Sequence, residues 1–243
     1  YRTHTNSYIR FTSRFGLPAF PLTEHSITRF AVYLSFTLKS ASSIANYVNG
    51  IKSAQRLLHL PDFQESSQLM LVMRGLRRTM IRSIKQAWPI TQKILLQISR
   101  LVKSTEDVVC FTALLLGFKL FLRKSNLVPD SRSSFDSKKQ LTRRMLRVSK
   151  LVYLVEIRWT KTIQFRQRRL LLPLLKSPVQ GVCIQKWMTK MLRLVPGAPS
   201  DPLFCLPSYR GRNVPLTSGM LLKKLRYWLS KLRCNSSMYT LHS

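Results

Sequence analysis

Acidic residues are what this chain has least of: nine Asp and Glu face 41 Lys and Arg over 243 residues, a net charge of +32. With so few carboxylates the chain cannot neutralise its own cations, and the pI is near 11.2. A disordered basic tail is excluded too, because 45% of the residues are hydrophobic and the length suffices for one large or two modest cores. A basic chain with that much apolar content implies a polyanionic partner, nucleic acid before any other. The charge is not confined to one end: residues 1–88 hold 12 Lys/Arg and 3 acids, about +9, and residues 89–243 hold 29 and 6, about +23.

Cysteine chemistry is equally sparse. Cys110, Cys183, Cys205 and Cys234 stand far apart, with no CxxC pair and no histidine at ligand spacing, so neither a zinc site nor a disulfide framework is expected. Reduced thiols follow. Long apolar runs are missing as well. The longest, Val108 to Phe118, covers 11 residues, against the roughly 20 that span a bilayer. No signal peptide opens the chain, which is expected to be nuclear, or cytosolic before import. There is no internal repeat and no low-complexity segment. The chain begins at Tyr1 and stops at "SSMYTLHS" without a helix end or a polar tail, which suggests a fragment or a decayed copy.

What is present is mostly helical periodicity. A helix is expected from about Thr3 to Arg14, before the breaker "FGLPAFP". In "LTEHSITRFAVYLSF", Thr23 is an N-cap ahead of Ile27, Phe30, Ala31 and Leu34 at i, i+3, i+4 and i+7. "SSIANYVNGIKSAQRLLHL" repeats the spacing with Ile44, Tyr47, Val48 and Ile51, leaving Lys52, Gln55 and Arg56 on or near the other face, and a further helix runs from about Ser67 to Ile84. Four short amphipathic helices make a small bundle. Pro89 in "KQAWPIT" ends that module, and Thr91 caps a new helix through Leu101. Glu106 and Asp107 then open an apolar helix that ends near Leu122, where Arg123 follows; acids there suit the helix dipole.

Beyond Pro129 the pattern turns to short β-branched and aromatic runs. Val152, Leu154 and Glu156 alternate with Tyr153, Val155 and Ile157, as in a small antiparallel sheet, with a turn near Trp159 to Thr162. Helices return from Val182 to Leu194 and after the "PLT" ending at Thr217, with Leu221, Leu225, Trp228 and Leu232 along one face. The fold class expected is therefore mainly α with a small antiparallel β-sheet (α+β), divided into residues 1–88 and 89–243.

The order of these parts carries a resemblance: a basic four-helix module, an apolar helix ending "FLRKSNL", a hairpin with "WTKTIQF", a "PLT"-capped helix and a final "YTLHS". The whole chain resembles the tyrosine recombinases, nearest to the eukaryotic mobile-element recombinases of the DIRS, Ngaro and Crypton type. The resemblance implies a SAM-like four-helix domain that clamps DNA, and a catalytic domain incomplete at its C-terminal end. In that family a tyrosine hydroxyl attacks a phosphorus to leave a 3′-phosphotyrosyl link. Two arginines neutralise the phosphate oxygens, a hairpin lysine protonates the leaving oxygen, and the histidine of an HxxR motif assists as acid or base.

By that resemblance Arg123 corresponds to the first arginine, in a "GLRxSEL"-like segment. Asn126 stands where the pattern has an acid, and Asp130 or Asp136 is available to compensate. Lys161 corresponds to the hairpin lysine and His242 to the histidine of HxxR. The second arginine and the nucleophile would follow Ser243. Tyr239 precedes His242 and is not expected to act as the nucleophile. DNA contacts are expected from Lys52, Gln55 and Arg56 in a groove, and from Arg166, Arg168 and Arg169 in "FRQRRLLLPLLK" on phosphates.

The function implied is DNA breakage and rejoining to integrate or excise a mobile element. It would act on double-stranded DNA as a homotetramer, with no metal, nucleotide or other small-molecule cofactor and no membrane partner. The 243 residues themselves are expected to bind DNA without cleaving it. A non-catalytic, domesticated DNA-binding module and a basic RNA-binding protein are the alternatives.

Overall fold

The computed structural model describes residues 2–64, 67–80, 86–148, 152–160, 169–207 and 213–241. The fold is mainly α with a small antiparallel sheet. The chain forms two compact units, Tyr1–Ile84 and Lys85–Ser243.

The first unit consists of four helices: α1 Arg2–Arg14, α2 Glu24–Ser35, α3 Ala41–Leu57 and α4 Ser67–Thr79. Local chemistry starts two of them. The Thr23 side chain accepts from the Ser26 N–H in a capping box at α2, and the Ser40 side chain does the same for Ser43 at α3. The apolar stripes then close on one core, in which Tyr8, Ile27, Phe30, Ile44 and Ile51 are fully buried. Its centre is aromatic: the Phe30 ring lies 5.1 Å from Tyr8 in an edge-on contact and 5.2 Å from Phe11. The Tyr8 hydroxyl is satisfied by Ser26 Oγ at 2.8 Å. Gly50 lies where α1 approaches α3, and a Cβ there would collide with the His4 ring.

The second unit is organised around α6, Thr105–Leu120, whose residues from Asp107 to Leu116 are all buried. A helix apolar on every side must be wrapped. Around it are α5 Gln92–Ser99, α8 Ile184–Leu194, α9 Ser218–Lys231 and the two-stranded ribbon β4 Cys205–Leu206 with β5 Val214–Pro215. At the start of α6, Ser104 and Asp107 form a reciprocal cap, and Lys224 of α9 reaches the same carboxylate at 2.9 Å and Glu106 at 3.2 Å. Burial opposes ionisation of Asp107. The hydrogen bonds from the Ser104 backbone, Lys224, the Lys103 backbone and the Ser104 hydroxyl outweigh it and hold the carboxyl at about 2.

The sheet has three strands in the order β1 Leu146–Val148, β2 Tyr153–Ile157, β3 Leu170–Leu174, antiparallel throughout. Val155, Ile157 and Leu174 turn one face to the core. β2 is the central strand, pairing Leu146 with Val155 on one side and Leu172 with Val155 on the other. The return strand is the "LLLPL" segment, read from the sequence for its arginines rather than as a strand. Pro173 fits there because β3 is an edge, where a missing N–H breaks no second ladder. The residues 161–168 between Thr160 and Arg169 lie outside those described.

Candidate functional site: the Arg123 turn

The turn begins where α6 runs out. Phe121 caps the helix with left-handed backbone, φ 51° and ψ 38°, and its N–H and that of Leu122 both return to the Gly117 carbonyl. Position 121 is the one at which the "GLRxSEL" pattern has glycine. The left-handed cap explains why glycine suits it; here phenylalanine takes that conformation with 92% of its surface exposed. Gly117 is the other tight point, since a Cβ there would come within 2.7 Å of Leu127 Cδ1.

Arg123 follows in extended backbone as the N-cap of a single turn, α7 Lys124–Leu127, and its side chain caps nothing. It is exposed, and among the described residues no carboxylate pairs with it. Asp130 and Asp136, expected to offset the missing acid, are both engaged elsewhere. Asp130 accepts from Lys124 Nζ and from the Ser218 hydroxyl, each at 2.8 Å, and the Lys124 bond holds its carboxyl below the usual range. Asp136 pairs with Lys139 at 3.6 Å. Among the described residues Arg123 is thus a cation that no carboxylate neutralises, on a turn that is itself held by hydrogen bonds.

Asn126 does the fixing. It is 3% exposed, and its Nδ2 donates to the Trp159 carbonyl at 2.7 Å while its backbone carbonyl accepts from the Leu141 N–H. An acid at 126 has no proton to give a carbonyl, so in this chain the amide suits the position. The bond ties the Arg123 turn to the backbone two residues before Lys161. The segment ending at Leu241 borders the same turn. Arg123 and Lys124 line a cavity of about 420 Å³ together with Gly117, Phe121, Pro89 and Leu241, the residue before His242. The approach to Leu241 is held by the Trp88 N–H, which donates to the Met238 carbonyl at 2.7 Å, and by the Trp88 ring edge-on to Tyr239 at 6.0 Å. Lys161 and His242 themselves lie outside the described residues. Tyr239 is 5% exposed and its phenol is pushed up by burial, which is not the setting of a nucleophile.

In the first unit one expected contact is corrected. Gln55 is 2% exposed: its Oε1 accepts from the Leu22 N–H at 2.6 Å and its Nε2 donates to the Pro61 carbonyl, so it braces the loops flanking α2 and α3 and offers nothing to a groove. Arg56 is exposed but pairs with Asp62 at 2.7 Å. Lys52 lies 5.5 Å from the Phe63 ring and lines a cleft of about 350 Å³ between α3 and α4 with Asn49, Arg74 and Arg77. Those two arginines were not singled out in the sequence, although their i, i+3 spacing in "MRGLRR" put them on one face of α4. Arg166 and Arg168 lie outside the described residues. Arg169 is 68% exposed and stands 3.6 Å from Glu156.

Among the described residues no group of three His, Cys, Asp or Glu side chains could hold a metal ion, and no helix is long and apolar enough to cross a membrane. The four cysteines are unpaired, and burial pushes the Cys110 thiol up to about 12. The chain matches no protein-family model and no curated protein sequence.

Proposed function

We propose that this protein binds double-stranded DNA and that the Arg123 turn is the phosphate-holding part of a tyrosine-recombinase-type site. One observation carries the reading. The chain segments adjoining positions 161 and 242, widely separated in sequence, both come beside the turn of Arg123, the first through the Asn126–Trp159 hydrogen bond and the second across the cavity that Leu241 lines with it. The left-handed backbone at 121, where the resembling pattern has glycine, supports it independently. A guanidinium that no carboxylate of the described residues neutralises, on a hydrogen-bonded turn, can take two phosphate oxygens at once. Lys161 as proton donor and His242 as acid or base are the roles that the resemblance assigns. Tyr239, buried against Trp88, is not given the nucleophile's role, and duplex binding is the activity proposed for these 243 residues. Integration or excision of a mobile element by a tetramer, acting in the nucleus, is the wider function to which such a site belongs.

The test is fluorescence anisotropy with a duplex of about 30 base pairs and a structured RNA of matched charge, from about 50 to 200 mM salt. Tighter binding to the duplex, with affinity falling steeply with salt, is the expected result. Equal or tighter binding to the RNA overturns the DNA reading in favour of an RNA-binding protein. In Arg123→Ala the duplex salt slope should fall by about 0.9, one phosphate contact; an unchanged slope removes Arg123 from the interface.

A further inference from the structure

The outward face of the sheet carries a second cluster of cations, built around a carboxylate that should not be buried there. Alternation along β2 puts Leu154, Glu156 and Arg158 on the face opposite to Val155 and Ile157. Arg147 of β1 pairs across from Leu154, and Leu171 of β3 from Glu156, so Arg147 and Leu171 share that outer face. Glu156 nevertheless has only 1% of its side chain exposed. The groups that approach it are guanidiniums: Arg158 at 2.8 Å through Nε with a second bond of 3.2 Å through Nη2, Arg147 at 3.2 Å, and Arg169 at 3.6 Å. Arg158's hydrogen bond, against the opposing effect of burial and with help from Arg147, holds the Glu156 carboxyl below its usual range.

One carboxylate needs one arginine. Three leave a surplus of two positive charges, and each guanidinium has five N–H donors of which Glu156 takes at most two. Arg147 and Arg169 remain 56% and 68% exposed, and Glu156 already accepts hydrogen bonds from Arg158 and Arg147. A self-contained structural ion pair would not gather unmatched cations. We infer that Glu156 is a positioning residue that holds Arg147, Arg158 and Arg169 as a preformed clamp for the phosphodiester backbone of duplex DNA. The inference rests on the DNA-binding reading and adds to it a site separate from the Arg123 turn.

The experiment measures duplex affinity against salt for the full chain and for Arg147→Ala, Arg169→Ala and Glu156→Gln. Each arginine variant should lower the slope by about 0.9, and the pair together by about 1.8. Glu156→Gln gives the sharper contrast. It raises the net charge by one, so simple attraction predicts tighter binding, whereas a lost organiser predicts weaker binding, about tenfold, with a smaller slope. Binding by Glu156→Gln as tight as wild type, or tighter, overturns the positioning role. Unchanged slopes in both arginine variants of a chain that binds duplex overturn the clamp while leaving the DNA reading intact. No salt-dependent duplex binding by the wild type overturns the DNA reading itself, and the clamp with it. Should Glu156→Gln fail to fold, as circular dichroism would show, the two exposed arginine variants decide alone.

Discussion

The two units handle the same shortage of acids differently. In the first, the described core is apolar and aromatic; its buried polar groups, such as Tyr8 with Ser26 and Gln55 with the Leu22 N–H, are all neutral. In the second, both buried carboxylates of the described residues occur, and each sits at a joint: Asp107 between α6 and α9, Glu156 beneath three arginines of the sheet. A bundle of adjacent amphipathic helices closes on its own stripes. A unit assembled from distant helices and a sheet uses its few anions to bring basic surfaces together that would otherwise repel.

The largest effect should come from the first unit's aromatic centre. Phe30→Ala removes a fully buried ring in contact with Tyr8 and Phe11, and should destabilise that unit by about 3–5 kcal/mol in urea unfolding. If the cost is below about 1 kcal/mol, the unit does not depend on its rings as the comparison requires. Next comes a polar joint of the second unit. Asn126→Asp leaves the Trp159 carbonyl without its donor and buries a carboxylate against it, at about 3 kcal/mol. An unchanged melting temperature would mean that the Asn126–Trp159 bond does not hold the Arg123 turn.

Asp107 sharpens the contrast through pH. Its folded value of about 2 lies below that of an unfolded aspartate, so the ionised form favours the folded state. That contribution, about 2 kcal/mol, is complete above about pH 4 and is lost as pH falls towards 2. Asp107→Asn should therefore unfold more easily than wild type at pH 7, with the gap closing between pH 4 and 2. A gap that stays constant over that range would exclude the Asp107 carboxylate as its source. The first unit, with no buried carboxylate among its described residues, should show no comparable pH dependence.

These features differ in how far the sequence discloses them. Helix starts at Thr23, Thr91 and Thr217 are local, each set by a side chain three residues from the N–H it accepts, and they are legible without a structure. Gln55 shows where that legibility ends: its place in the helical period put it near the polar face, but a loop carbonyl and a loop N–H, Pro61 and Leu22, came to it. The return strand was hidden because "RRLLLPLLK" has a proline and no alternation, which only its edge position makes acceptable. Glu156 could be placed on a strand from its neighbours. Its three arginines could not be assigned to it, because Arg147 arrives from β1 and Arg169 from the residue just before β3, through a register that no periodicity encodes. At the Arg123 turn the cation was visible, while the engagement of Asp130 by Lys124 and the role of Asn126 required the fold.

The smallest effect concerns Phe121, and its sign is the informative part. A non-glycine residue with left-handed backbone costs about 1–2 kcal/mol, and Phe121, 92% exposed, recovers little of that by packing. Replacing it by glycine removes the strain but adds about 0.5–1 kcal/mol of unfolded-chain entropy. Phe121→Gly should thus stabilise the second unit slightly, by about 0.5 kcal/mol, an unusual direction for deleting an aromatic side chain. If instead stability falls by a kilocalorie or more, the ring is making contacts that the exposed conformation does not contain. If stability rises while duplex affinity drops, the strained phenylalanine is kept for what it does beside Arg123, and the turn spends folding energy on its surface rather than on its core.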